Sequence, residues 1–239
     1  MKRVRFSVLF IVLALLVPTL TVGAQSGGNL VWGTISEPET LDFTCTFSSI
    51  ADIQYKTMYD SLVFWDPTDL EFYPYLAASW TVSEDFTSYT FNLRDDVLFH
   101  DGTQFNAEAV QINLDRVATI AQSPACSAAS VAQARLGSSY VSTEIIDEFT
   151  AQVNFRAPNP IFLIGAADLY FMSPASIEEF GDEDIGRNAV GSGAFILDEW
   201  VDQAFMRVVR NEAYNWGPAN ADHQGPALLE SVTWQFIPE

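Results

Sequence analysis

The sequence predicts a mixed α+β fold, and three observations carry the prediction. Segments with apolar residues at every second position, the period of a half-buried strand, are interspersed with segments that repeat every three or four, the period of an amphipathic helix. The two kinds do not alternate regularly, as a doubly wound parallel sheet would require. The 239 residues are 49% hydrophobic and 13% aromatic, which supplies a real core and excludes a disordered chain.

The elements follow in order. Lys2, Arg3 and Arg5 precede an apolar run from Phe6 to Val17, then Pro18 and the small-residue pattern Val22-Gly23-Ala24. This is the layout of a secretory signal peptide over residues 1–24, cut after Ala24. The run is shorter than the roughly 20 residues a membrane span needs. Residues 29–35 are apolar and β-prone and predict a buried strand. Ala51, Tyr55, Met58 and Leu62 form one stripe of a helix expected over 50–64, with Asp52, Lys56 and Asp60 on its opposite face. Residues 79–99 predict a hairpin, in which Tyr89, Phe91 and Leu93 alternate with Thr90, Asn92 and Arg94. His100-Asp101-Gly102 predicts a tight turn. Asn106 is placed to cap a helix whose stripe is Val110, Leu114 and Val117.

Residues 123–139 predict a loop or a short helix, and 141–155 a second hairpin turning at Asp147-Glu148. Ile161 to Phe171 is an apolar helix candidate, and Ser173-Pro174 starts another over Ala175 to Phe180. Strands are expected over 193–200, 204–210 and 231–237.

Charge and chemistry narrow the function. With 31 Asp+Glu against 11 Lys+Arg, the net charge of −20 excludes nucleic acid as a partner and disfavours an anionic membrane surface. Two Cys and two His cannot build a Cys-rich zinc site. No nucleophile elbow, zinc-protease helix, phosphate loop or dinucleotide loop occurs. Gly191-Ser192-Gly193 is too short for a dinucleotide loop and fits close backbone packing at a strand start. His100 and His223 read as turn or surface residues, and Asp182-Glu183-Asp184 as a solvated acidic turn. No catalytic residue, metal or cofactor is expected. Aromatic side chains can wall a ligand pocket or simply fill a core. In an exported chain the lone pair Cys45 and Cys126 can bridge, closing a loop of about 80 residues worth up to roughly 4–5 kcal/mol, or remain two thiols.

Several motifs occur together. They are Leu76-Ala77-Ala78-Ser79-Trp80, Tyr89-Thr90-Phe91-Asn92-Leu93-Arg94, Phe99-His100-Asp101-Gly102-Thr103 and Phe105-Asn106-Ala107-Glu108-Ala109-Val110. Val190-Gly191-Ser192-Gly193-Ala194-Phe195, the segment Arg210 to Trp216 and Glu37-Pro38-Glu39-Thr40-Leu41-Asp42 accompany them. In these the chain resembles family 5 of the extracellular solute-binding proteins, the peptide/nickel-type receptors of ATP-driven importers. It departs at Phe43, Gln104, Ala194 and Ala109, where the family favours Pro, Pro, Pro and Asp.

The resemblance implies a periplasmic-binding-protein-like fold of two lobes that closes on its ligand without chemistry. Lobe I would comprise 29–65 and 160–239, a family-specific extra subdomain 66–159, and the second lobe would not lie within these residues. The partners implied are a peptide or small solute and a membrane permease; a periplasmic or extracellular monomer is expected. By the same likeness Thr46, Phe47, Ser48 and Ser49 would line the cleft and pair with a peptide backbone. Ser123-Pro124-Ala125 would sit at the cleft edge, bringing Cys45 and Cys126 together. The alternatives are an exported hydrolase of peptides or glycans, which needs a nucleophile or tuned acid/base pair, and a receptor feeding a sensor.

Overall fold

A computed structural model describes residues 27–46, 48–126 and 130–237. The expected signal peptide lies outside them, as does Phe47. Among the described residues no helix is long and apolar enough to cross a membrane.

The chain begins with strand β1 (Asn29–Thr34), short helix α1 (Ser49–Tyr55), and the antiparallel pair β2 (Val63–Trp65) and β3 (Phe72–Pro74). A hairpin of β4 (Ala77–Val82) and β5 (Ser88–Leu93) leads to helix α2 (Ala107–Thr119) and helix α3 (Ser130–Leu136). The hairpin β6 (Tyr140–Asp147) and β7 (Thr150–Phe155) follows, then helices α4 (Phe162–Ala166) and α5 (Pro174–Asp184). Strands β8 (Phe195–Val201), β9 (Phe205–Arg210) and β10 (Ser231–Phe236) close the described chain.

The first and last strands meet in one four-stranded sheet, order β1-β10-β9-β8, with β1 parallel to β10 and Trp32 opposite Trp234. The two hairpins form an antiparallel sheet, order β4-β5-β7-β6. This is the predicted mixed α+β arrangement. Its alternation is visible in β7, where Ala151, Val153 and Phe155 are buried. Helix α2 packs its Val110–Leu114–Val117 stripe against that sheet. The Asn106 side chain caps it by accepting the Ala109 N–H at 3.0 Å.

The aromatic excess is largely core. Tyr89 and Phe155 meet Phe162 edge-on with ring centroids 5.0 and 4.8 Å away, and Phe43 meets Tyr170 at 5.6 Å.

Four expectations are corrected. Strand β1 forms but is not buried: Val31 is 66% and Trp32 53% exposed, because β1 is an edge strand paired on one side only. The helix expected over 50–64 ends at Tyr55, yet Ala51, Tyr55, Met58 and Leu62 are all buried. The carbonyls of Thr57 and Met58 accept N–H groups of Phe195 and Gly193, so tertiary pairing takes the backbone bonds a longer helix would need. Asp60, placed on a solvent face, is 1% exposed. The candidate over Ile161 to Phe171 shrinks to the five residues of α4, after which Phe171 N–H donates to the Asp60 carbonyl and Ser61 bridges Tyr170.

Candidate ligand-binding segment

The segment from Asp42 to Ser49 is shaped by a polar network and a covalent tie. Asp42 Oδ1 accepts the Thr44 N–H at 2.9 Å and the Thr44 hydroxyl at 2.6 Å, a local turn that a short carboxylate favours. From α2, Arg116 grips the same carboxylate with both fork nitrogens, Nη2 at 2.6 Å from Oδ2 and Nη1 at 3.2 Å from Oδ1. Arg116 Nη1 also donates to Thr44 Oγ1 at 2.9 Å, and Nη2 to Asp182 Oδ1 at 3.0 Å. The Arg116 side chain is 9% exposed and that of Asp42 2%, so this pair stands out of water.

Cys45 follows directly. It is joined to Cys126 as a disulfide with Cα atoms 4.8 Å apart, and both half-cystines pack with Ile120 into a small cluster of their own. The segment is therefore fastened to α2 by Arg116 and to the loop after α2 by the bridge.

The four candidate contact residues are placed differently. Thr46 is 2% exposed and its Oγ1 accepts the Ser48 N–H at 3.1 Å, so its hydroxyl is committed to the turn. Ser48 is half-buried and stands at the N-cap of α1, but its hydroxyl makes no capping bond. Ser49 is exposed at the start of α1. The segment thus turns into a helix instead of running extended through 49.

Behind it, a second network holds the irregular segment that follows α1. The Asp60 carboxylate accepts from Tyr75, from Ser192 Oγ at 2.9 Å and from Trp216 Nε1 at 3.0 Å, and the Tyr75 hydroxyl meets that of Tyr214 at 3.0 Å. Gly191 and Gly193 permit this arrangement. A Cβ at Gly191 would lie 2.1 Å from the Met58 carbonyl oxygen, and one at Gly193 2.5 Å from the Met58 carbonyl carbon. Close backbone packing is the role the glycines were expected to have.

His100 is the half-buried turn residue that was expected, and its ring is engaged. Its Nδ1 accepts the Gly191 N–H at 3.3 Å and its Nε2 donates to the Gly193 carbonyl at 3.0 Å, which uses up a neutral ring. Burial pushes its pKa down from 6.5 to about 4. The unfolded chain therefore takes up a proton that the folded chain refuses, so stability is full above about 6.5 and falls with pH towards about 4. The fall attributable to His100 is expected to approach 3 kcal/mol, roughly, at the acid end. Urea unfolding of the protein and its His100→Asn variant across that range checks it; parallel profiles would contradict the assignment.

Among the described residues no group of three His, Cys, Asp or Glu side chains could hold a metal ion. Asp182 is tied to Arg116. Arg116 and Asp182 hold the candidate segment and Asp60 the turn behind it; the sequence reading placed Asp182 and Asp60 on solvated faces and did not mark Arg116. Arg116 sits among polar helix residues with no motif to mark it, and only the fold brings it to Asp42.

The comparisons with known proteins identify the family. Residues 71–239 match the family model described as bacterial extracellular solute-binding proteins, family 5 Middle. The chain is 32% identical over 216 residues to the glutathione-binding protein GsiB of Escherichia coli O6:K15:H31 (strain 536 / UPEC), covering 90% of this chain and 39% of that protein. Against GsiB of Escherichia coli K12 the identity is 32% over 200 residues, covering 83% of this chain and 36% of that protein. The chain thus spans under two fifths of the length of these curated relatives.

Among solved structures it superposes on the ABC transporter-associated periplasmic binding protein DppA of Helicobacter pylori in complex with the peptide STSA. There the TM-score is 0.77 at 25% identity, covering 90% of this chain and 44% of that one. The oligopeptide-binding protein AppA of Bacillus subtilis shares the fold, with a TM-score of 0.73 at 20% identity, covering 90% of this chain and 41% of that one. The chain is a member of the bacterial extracellular solute-binding proteins, family 5, a family of binding proteins and not of enzymes.

Proposed function

We propose that the protein is an exported receptor of an ATP-driven importer. It captures a short peptide or peptide-like solute by lobe closure and hands it, unchanged, to a membrane permease. The observation that carries this reading is the likeness to a glutathione-binding protein at 32% identity across 90% of the chain. In the proposal the signal peptide is cut after Ala24, the mature monomer works in the periplasm or outside the cell, and its acidity keeps it off nucleic acid.

Residues 46–49 are the ligand contacts of this lobe. The free Ser48 hydroxyl and the exposed Ser49 offer polar groups to a peptide backbone, Phe47 an apolar wall, and Thr46 shapes the turn that presents them. The Arg116–Asp42 pair and the Cys45–Cys126 bridge hold that turn in place, so little ordering entropy is lost on binding. Closure of a second lobe over the ligand would complete its burial.

Titration of the chain with glutathione or with the tetrapeptide Ser-Thr-Ser-Ala tests the reading. Saturable amide shifts centred on Ser48 and Ser49 are expected at about millimolar ligand, because one lobe leaves most of the ligand in water. Micromolar affinity would refute the need for closure, and shifts that avoid residues 45–50 would remove the segment from the site.

A further inference from the structure

We propose that the Cys45–Cys126 bridge is a redox control on ligand capture: closed, it presents Thr46, Ser48 and Ser49, and opened by a small thiol it frees them while the rest of the protein stays folded. The inference rests on the receptor reading for the part those residues play, and adds a regulation that the reading does not contain.

The bridge lies at the edge of the candidate segment. Cys45 immediately precedes Thr46, and its partner comes from 81 residues away, in the turn after α2. Among the described residues the hydrogen bonds on either side of it are local. Cys45 N–H donates to the Asp42 carbonyl at 3.0 Å, Ser48 N–H to Thr46 Oγ1 at 3.1 Å and Asp52 N–H to the Ser48 carbonyl at 2.9 Å. Cys126 N–H donates to the Ser123 carbonyl at 3.2 Å, and Ser123 N–H to that of Ile120 at 2.9 Å. Neither set joins the two stretches of chain. Besides the covalent bond, Cys126 Sγ lies 3.5 Å from the Thr44 carbonyl, which a freed thiol would hold only as a weak donor. Arg116 fastens Asp42 and Thr44, so its grip ends one residue short of Cys45.

The packing lets the bridge open without unfolding the protein. Cys45, Ile120 and Cys126 form a cluster of their own, and the main core, from Leu41 to Phe236, includes neither sulfur. What opening removes is order in the contact segment. A ligand that must order those residues as it binds gives up part of its affinity.

The chemistry is thiol–disulfide exchange. The thiolate of a small monothiol attacks one protein sulfur, forms a mixed disulfide and expels the other cysteine as a thiolate, which takes a proton. A second thiol attacks the small-molecule sulfur of that mixed disulfide and releases the second protein thiol. The protein gains two electrons and two protons, and two thiols become one small disulfide. Both half-cystines are buried, so uncatalysed exchange runs over minutes to hours.

The experiment titrates three forms with the tetrapeptide Ser-Thr-Ser-Ala, which has no thiol: the oxidised protein, the protein equilibrated with excess 2-mercaptoethanol, and the double variant Cys45→Ser with Cys126→Ser. Reduced protein and double variant are expected to bind about tenfold more weakly than oxidised protein, read from the Ser48 and Ser49 amide shifts. In ligand-free protein, hydrogen exchange at Ser48 and Asp52 is expected to speed by about tenfold on reduction. Phe91 and Val153, in the sheet of the two hairpins, keep their protection. Reoxidation restores affinity to the reduced protein and not to the variant. Equal affinity of oxidised and reduced protein, or unchanged exchange at Ser48 and Asp52, overturns the inference and leaves the receptor reading intact. So does a bridge that excess thiol does not open, or lost protection at Phe91 and Val153, which would make the bridge a staple of the whole fold. No shift at Ser48 and Ser49 in the oxidised protein overturns the reading and the inference with it.

Discussion

Arg116→Ala is expected to destabilise the protein by about 3–5 kcal/mol, the cost of leaving a buried charge without its partner. The carboxylate it strands is that of Asp42, 2% exposed, which would keep only the bonds from Thr44. The other ion pair of Arg116 contributes little to this figure. The Asp182 side chain is 38% exposed, and a solvated pair is worth under about 1 kcal/mol, so Asp182→Ala should be nearly silent. Replacing both buried partners, Arg116→Met with Asp42→Leu, should cost less than Arg116→Ala alone, since no charge is then stranded. Urea unfolding with the Cys45–Cys126 bridge intact measures all three variants. A cost below about 1 kcal/mol for Arg116→Ala would show that water reaches Asp42 and that the network does not hold the segment. Because Arg116 also donates to Thr44, next to Cys45, the variant should broaden the Ser48 and Ser49 amide resonances even where the protein remains folded.

The parts of this structure legible in the sequence are those decided locally. Asn106 has the side chain a helix start needs, and it caps α2. The strict alternation through Thr150–Phe155 admits one register of inward residues, and those residues are buried. Ser173 caps α5 ahead of Pro174, and the helical geometry breaks at Gly181, one residue past the expected end. The failures share a different cause. In the segment after Tyr55 the apolar stripe is correct but the backbone is not helical, since Gly193 and Phe195, more than 130 residues away, claim its carbonyls. Side-chain burial is written in the pattern of residues, whereas a backbone bond to a distant strand is not. For the same reason β1 reads as a buried strand from its apolar run, although its burial depends on what lies beside it. The candidate segment was reached through family motifs, and nothing in the bare sequence points to the pairing of Arg116 with Asp42 or of Asp60 with Ser192.

Asp60→Ala is the second substitution expected to cost heavily, about 1–3 kcal/mol, and the reason lies in which donors have somewhere else to go. Trp216 Nε1 also reaches the Ser192 carbonyl at 3.1 Å, and Tyr75 retains Tyr214. Ser192, wholly buried, has no second acceptor for its hydroxyl in the network, so its loss is the uncompensated one. Asp60 and His100 clamp the same Gly191-Ser192-Gly193 turn from two sides, and they titrate in opposite senses. Burial raises the Asp60 carboxyl above its ordinary value, although the bonds from Tyr75, Ser192 and Trp216 pull it down. Its contribution is therefore full below the unfolded value of 3.8 and is lost as pH rises through the folded one. His100 contributes above 6.5 and loses its contribution towards about 4. In the intact protein the two partly offset one another on the acid side. Asp60→Asn removes one of them, so its stability should fall more steeply than that of the parent as pH drops from about 6 to about 4. Urea midpoints at matched ionic strength decide the matter: profiles of equal slope would mean that Asp60 carries the same charge folded and unfolded, and that the turn leading into β8 is held by its hydrogen bonds alone.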